Sequence, residues 1–274
     1  MRNLRTILIA FFTVATTLSF SPAEKSEKPG LKVADVIDKT LAAIKAANTM
    51  TFTFTKSERI HGKMSVGSSE IKMANNPFKI YLKTISPEAG KELLYTQGAN
   101  DGKAIVKPNS FPYVTLKLDP YGSLLREKQH HTIFEIGFSY FGKIMTAFGQ
   151  KISHKYRDYC IVDGDVEWQG RKCLSVTCNY PQFAYITYKV KKGETLTTIA
   201  NRLLISDYMM LEKNSENVDD YDDLDEGEEI KIPNIYCKKI TFYVDKENYL
   251  PIRQLIYDDL GLFEEYHYLK VVTP

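Results

Sequence analysis

Between Met50 and Thr55 the residues alternate strictly, with Met50, Phe52 and Phe54 set against Thr51, Thr53 and Thr55, which predicts a strand with one apolar face. Upstream, Val33, Val36, Ile37, Leu41 and Ile44 recur at helical spacing, and Asp35, Asp38, Lys39 and Lys45 take the other side. That spacing predicts an amphipathic helix over 33–47. Short strands are predicted at 71–73, 79–83, 92–96, 104–107 and 113–118. Asn75-Asn76-Pro77, Ser86-Pro87-Glu88 and Asn100-Asp101-Gly102 supply turn signals among them. The rhythm breaks over 121–149, where Ile133, Phe134, Phe138, Phe141, Ile144, Met145 and Phe148 fall closer to helical spacing. Strands resume at 159–162, 166–168 and 173–179, and the chain ends in strands at 239–244, 252–258 and 265–272. Strands joined by short turns are antiparallel neighbours, and a sheet of about ten strands curls or closes to manage its edges. The fold class predicted is therefore α+β: one curved antiparallel sheet, a leading helix and a helical excursion.

Residues 187–233 interrupt this pattern. They read strand (187–190), helix (195–203), helix (206–213), acidic loop, strand (229–232), with Thr195 and Ser206 as N-caps. Six bases against twelve acids give the segment a charge of −6, while the rest of the chain beyond residue 23 carries +6. So sharp a break marks an inserted domain. The segment resembles a LysM domain, the small βααβ module that binds N-acetylglucosamine-containing glycans. The resemblance is carried by the run from Tyr188 through Val190, Gly193, Glu194, Thr195 and Leu196, by Ile199-Ala200, by Ile205-Ser206, Leu211 and Asn214, and by Gly227 to Pro233. It implies a glycan groove between Gly193, Glu194 and Thr195 on one side and Asn214, Ser215, Glu216 and Asn217 on the other. Two departures stand out. Leu203-Leu204 replaces the family's tyrosine and glycine, and 219–229 holds eight acids in eleven residues.

The remainder, 24–186 with 234–274, resembles the periplasmic lipoprotein-carrier (LolA/LolB-like) fold. The leading helix, the Phe52-Phe54 strand with Glu58-Arg59, Pro77 to Ile80, Gly90 to Tyr95 and the turn at Asn100-Asp101-Gly102 carry that likeness. It implies an incomplete β-barrel with capping helices around an apolar cavity for acyl chains. On the predicted strands, Phe52, Phe54, Ile80, Leu94, Phe242 and Tyr257 are the cavity candidates. The same residue types equally make a filled core, and only unfilled volume separates the two.

The first 23 residues have the layout of a secretory signal peptide: Arg2 and Arg5, an apolar run from Ile7 to Phe20, and small residues at Ser21 and Ala23. The apolar run is shorter than a membrane span, and no later segment approaches one. Export to the periplasm or cell envelope is therefore expected, and it bears on the cysteines. Cys160, Cys173, Cys178 and Cys237 form an even set in an oxidising compartment, and three connectivities are open. The odd spacing of Cys173 and Cys178 sends them to opposite faces of one strand, which argues against a bond between them.

The whole chain carries +2, and without residues 1–23 the balance is zero, which excludes a nucleic-acid binder built on bulk positive charge. No G-x-S-x-G, H-E-x-x-H, phosphate-loop or dinucleotide fingerprint is present. No catalytic residue, cofactor or metal is expected. His130-His131 is read as capping or surface, and the acidic loop lacks EF-hand spacing. Two readings follow. One is an exported envelope protein that binds lipid or lipoprotein acyl chains and contacts peptidoglycan through its LysM module. The other is a non-enzymatic structural or interaction protein whose acidic insert meets a protein partner.

Overall fold

The computed structural model describes residues 32–111 and 113–273; the expected signal peptide lies outside them. Helix α1 (Val33–Ala46) buries Val33, Val36, Ile37, Thr40 and Ile44 on one face. The sheet strands are β1 (Thr49–Ile60), β2 (Lys63–Asn75), β3 (Phe78–Ser86), β4 (Glu92–Thr96), β5 (Ala104–Lys107) and β6 (Leu116–Leu118). After the helical excursion come β7 (Cys160–Trp168) and β8 (Arg171–Asn179), and at the end β11 (Lys239–Asp245), β12 (Pro251–Tyr257) and β13 (Leu262–Val272). They form one antiparallel sheet of eleven strands in the order β6-β5-β4-β3-β2-β1-β13-β12-β11-β8-β7. The barrel is incomplete: the sheet ends in β6 on one side and β7 on the other. Among the described residues no helix is long and apolar enough to cross a membrane.

The excursion holds a helical turn α2 (Ser123–Arg126), helix α3 (Phe138–Lys151) and a second turn α4 (Tyr156–Tyr159). Helix α3 buries Phe138, Phe141, Met145 and Phe148 against the concave face of the sheet and packs beside α1. The two helices lie so close at Gly142 that a Cβ there would stand 3.2 Å from Ile44 Cγ2. Gly137, at φ 92°, starts α3 in a conformation that suits glycine, and a Cβ there would come within 2.8 Å of Met73 Sδ.

Strand parity corrects part of the sequence reading. On β1 the inward positions are Met50, Phe52, Phe54, Lys56 and Glu58, so the apolar face turns polar halfway along. Ile80 pairs with Tyr95, which leaves Leu94 between the inward Leu93 and Tyr95 and 44% exposed on the outer face. Tyr257 follows the inward Ile256 and faces outward, with Lys239 Nζ 4.0 Å from its ring centre. The Tyr113–Leu118 strand shrinks to its last three residues. The strands predicted at 159–162 and 166–168 are one strand with a bulge near Gly164. Cys160 and Cys178 lie opposite each other on β7 and β8 and form a disulfide, while Cys173 and Cys237 are free thiols.

The insert forms β9 (Tyr185–Lys189), α5 (Leu196–Leu203), α6 (Asp207–Lys213) and β10 (Glu229–Pro233). Strands β9 and β10 pair antiparallel, so its ends meet; they leave from β8 and enter β11, which pair at Asn179 and Lys239. Thr195 and Ser206 cap the two helices as their sequence positions predict. Leu204, where the family has glycine, adopts the left-handed conformation at φ 53°.

The insert is bolted to the sheet. The buried Arg126 guanidinium donates to Thr197 Oγ1 and Asp207 Oδ2, both at 2.7 Å, and lies 3.2 Å from the ring centre of Tyr221. Tyr208 stacks on His130 at 4.2 Å, and its hydroxyl accepts from the His61 amide. Arg59 pairs with Asp258 and approaches Glu212 at 3.6 Å. The acidic loop itself stays largely exposed, so Asp207 and Glu212 on α6 make the ionic contacts with the host. Removing one partner strands a buried charge. Asp207→Ala is therefore expected to cost about 3–5 kcal/mol in urea unfolding. Replacing both partners, Arg126→Met with Asp207→Leu, should recover most of that loss.

Candidate functional site

A cleft of about 420 Å³ opens between the concave face of the sheet and the segment 124–144, within the ~300–1,000 Å³ range of small-molecule sites. Of the six residues predicted for a cavity, only Phe54 lines it. Phe52, Ile80 and Phe242 are buried in the filled core beside it, where Phe52 meets Phe138 and Phe242 meets Phe141. Leu94 and Tyr257 face away. The apolar walls come instead from Leu82, Leu93, Val106, Ile133, Ile240 and Ile256. Leu93 and Val106 lie on strands found at their expected bounds, 92–96 and 104–107, so there only the choice of inward face separates wall from exterior, and Ile133 lies on a helical turn.

The polar end of the cleft is built on β1 and β13. Register places Glu58 directly opposite Glu264, both completely buried, with Lys56 opposite Tyr266 and Phe54 opposite Tyr268. Like charges in facing positions repel. The segment after α2 answers them. His130 donates its amide to Glu58 Oε2 at 3.1 Å, while its Nδ1 lies 2.8 Å from Glu264 Oε1 and its Nε2 2.9 Å from the Arg59 carbonyl oxygen. His131 lies 3.3 Å from both Glu264 and Glu135. Lys56 Nζ reaches Glu58 at 2.8 Å, and the Tyr266 and Tyr236 hydroxyls donate to Glu58 and Glu264 at 2.8 and 2.9 Å. The structure thus overturns the surface role expected for His130-His131: His130 is enclosed between the rings of Tyr208 and Phe263, each 4.2 Å away.

Burial alone would raise the pKa of both carboxyls, but the cations outweigh it. Lys56, His130 and His131 hold Glu58 below its usual value, and His131 with His130 brings Glu264 down to about 2. Burial likewise opposes the charge on His131, yet Glu264 and Glu135 raise its pKa well above 6.5. Burial, then Glu264, pushes the Tyr236 and Tyr266 phenols up, so they remain donors. This is a charge-paired polar network set against the apolar walls of a cleft that elsewhere carries Ser65, Ser68, Thr84, Glu88 and Lys91.

In the insert, Gly193, Glu194 and Thr195 form the turn from β9 into α5, with Gly193 at φ 73°. Asn214, Ser215, Glu216 and Asn217 follow α6. Three of these residues are occupied structurally: Thr195 caps α5 by accepting from the Thr198 amide, and two others bridge elements. Glu194 accepts from Tyr188, the Lys191 amide and Arg202. Asn214 exchanges two 2.8 Å hydrogen bonds with the Lys231 backbone, tying α6 to β10. Gly193, Ser215, Glu216 and Asn217 are exposed.

The network predicts a two-sided pH dependence of stability. Lowering of the Glu264 pKa from 4.5 to about 2 gives a contribution complete above 4.5 and lost as pH falls toward 2. Elevation of the His131 pKa gives one complete below 6.5 and lost as pH rises through the raised value. Glu264→Gln should cost roughly 3 kcal/mol at neutral pH and flatten both limbs in urea titrations at about pH 3, 6 and 9.

Residues 188–233 match the LysM domain family model. Among solved structures, the chain is similar to Pseudomonas aeruginosa MucB in its complex with MucA, at 12% identity over 88% of this chain, with TM-score 0.40. It spans only 56% of that chain's length. It is also similar to the Mycobacterium tuberculosis lipoprotein LppX, at 12% identity over 88% of this chain and 95% of that one, TM-score 0.42. LprF from Mycobacterium bovis matches at 11% identity over 88% and 93%, TM-score 0.39. No curated protein matches the chain. Residues 47–205, more than half of the sequence and running from β1 to just beyond α5, match the model described as Protein of unknown function (DUF1571), and the chain belongs to that family.

Proposed function

We propose that this protein is an exported cell-envelope binding protein whose cleft holds an acyl chain of a lipid or lipoprotein and whose LysM module contacts peptidoglycan. The observation that carries the reading is unfilled volume: a cleft of about 420 Å³ with apolar walls among polar side chains, where a solid sheet-on-helix core would have none. A polar network lies at one end of the apolar walls, and the chemistry that fits both is a chain with a polar terminus. The LysM match supports the glycan half, with Gly193 and Ser215–Asn217 as exposed contacts and Glu194, Thr195 and Asn214 shaping the loops.

Native mass spectrometry and solvent extraction of the purified protein are expected to show bound acyl material. Leu82→Trp, which places bulk in the cleft wall, should lower its amount without a comparable fall in thermal stability. A lipid-free wild-type protein would remove the acyl half of the proposal.

The second reading, an interaction protein, is favoured by one observation. Asp219, Asp220, Asp222, Asp223, Asp225 and Glu226 are exposed and lie beside the glycan loops. Peptidoglycan pull-downs at low and high salt separate the two readings. Retention at high salt together with binding to chitin oligomers supports sugar recognition. Loss with salt and no chitin binding supports a basic partner of the acidic loop.

A further inference from the structure

Between Phe111 and Leu124 several apolar side chains are left exposed, although Leu118 packs on the core and the Tyr121 ring lies 5.1 Å from that of Phe134. Phe111 is 87% exposed, Tyr113 66% and Leu124 70%, and Val114, Leu116 and Tyr121 are also exposed. A strand with one buried face hides alternate residues, yet Tyr113, Val114, Thr115, Leu116 and Lys117 are exposed in succession. Only Leu118 of the edge strand β6 is partly buried, against the core. Monomeric proteins rarely leave such a run in water without a use for it.

Two observations identify what covers it. First, the run is continuous with the cleft: Leu124 is exposed and also lines the cleft wall, as does Val66 across the opening. Second, exposed lysines accompany the aromatics, Lys107 on β5 and Lys117 on β6, while Lys128 beyond α2 pairs with Glu127 at 3.4 Å. Phe and Tyr at the level of lipid headgroups, with lysines reaching anionic phosphates, is the side-chain chemistry of an interfacial anchor. The same lysine on the outermost strand opposes a second copy of this chain, because two-fold pairing across β6 would bring Lys117 toward its equivalent.

We propose that residue 111 and residues 113–124 form a docking lip by which the protein rests on an anionic bilayer, with the cleft opening onto that surface. The proposal extends the acyl-chain reading of the cleft and is tested apart from it.

The test is co-sedimentation of the mature chain with vesicles of phosphatidylcholine alone and of phosphatidylcholine mixed with phosphatidylglycerol. The mixed vesicles should retain the wild-type protein better. Phe111→Ser with Tyr113→Ser should weaken that binding about tenfold or more, since two large side chains lose their burial. Lys117→Glu should reduce the preference for anionic vesicles. All three side chains are exposed, so circular dichroism should be unchanged. Wild-type protein that binds neither vesicle, or a double variant that binds as wild type, would overturn the lip. So would a dimer in light scattering that the double variant disperses, which would assign the patch to a second copy. The cleft is scored separately: vesicle-inert protein that still carries extracted lipid would sink the lip alone, and lipid-free protein that still binds vesicles through Phe111 and Tyr113 would sink the cleft reading alone.

Discussion

Two glutamates facing each other across β1 and β13, Glu58 and Glu264, set the terms for the rest of the molecule. Both are completely buried, and buried carboxylates are stable only if paired and hydrogen-bonded. The sheet itself offers Lys56 and the Tyr266 hydroxyl, and the stretch between β10 and β11 adds the Tyr236 hydroxyl. The remaining partners, His130 and His131, come from the segment between α2 and α3, which must therefore cross this end of the concave face. Its crossing leaves the volume beneath it unfilled. At this end of the cleft the segment meets the sheet through polar contacts, with His130 bonded to both Glu58 and Glu264.

The same segment divides its side chains between two surroundings. Leu124, Leu125, Gln129 and His131 look into the cleft, whereas Arg126 and His130 are held by the LysM insert through Asp207, Thr197, Tyr221 and Tyr208. Neighbouring residues thus belong to different units. The insert packs against this segment, and the first turn of α5, which begins at the Gly193–Thr195 turn, supplies the hydroxyl that holds Arg126.

Much of this was legible in the sequence. Alternation at Met50–Thr55, the helical spacing over 33–47 and the turn dipeptides placed a curved antiparallel sheet with helices on it. The charge break and the Tyr188–Thr195 and Gly227–Pro233 runs located the insert, and its position predicted that β8 and β11 are neighbours, as Asn179 and Lys239 are. The cleft residues were less legible, for a physical reason. A strand's inward set depends on which of its two alternating faces meets the core, and local sequence does not fix that choice where neighbours such as Leu93 and Leu94 are equally apolar. Leu94 was named where Leu93 and Tyr95 point inward, and Tyr257 where Ile256 does.

The polar network was illegible for a different reason. Lys56, Glu58 and Glu264 look like solvent-facing charges in a local window, and adjacent histidines look like surface residues. Each becomes a buried ion only when β1, β13 and the segment after α2 converge, from positions as far apart as 58 and 264. Parity alone carries a hint: Lys56 and Glu58 share the inward register of Met50, Phe52 and Phe54, so a β1 that runs through to Ile60 has to bury them. A charged pair continuing an apolar alternation is therefore a signal that a partner cluster must exist elsewhere in the chain. The strongest chemistry of this fold follows from letting that alternation run to the end of the strand.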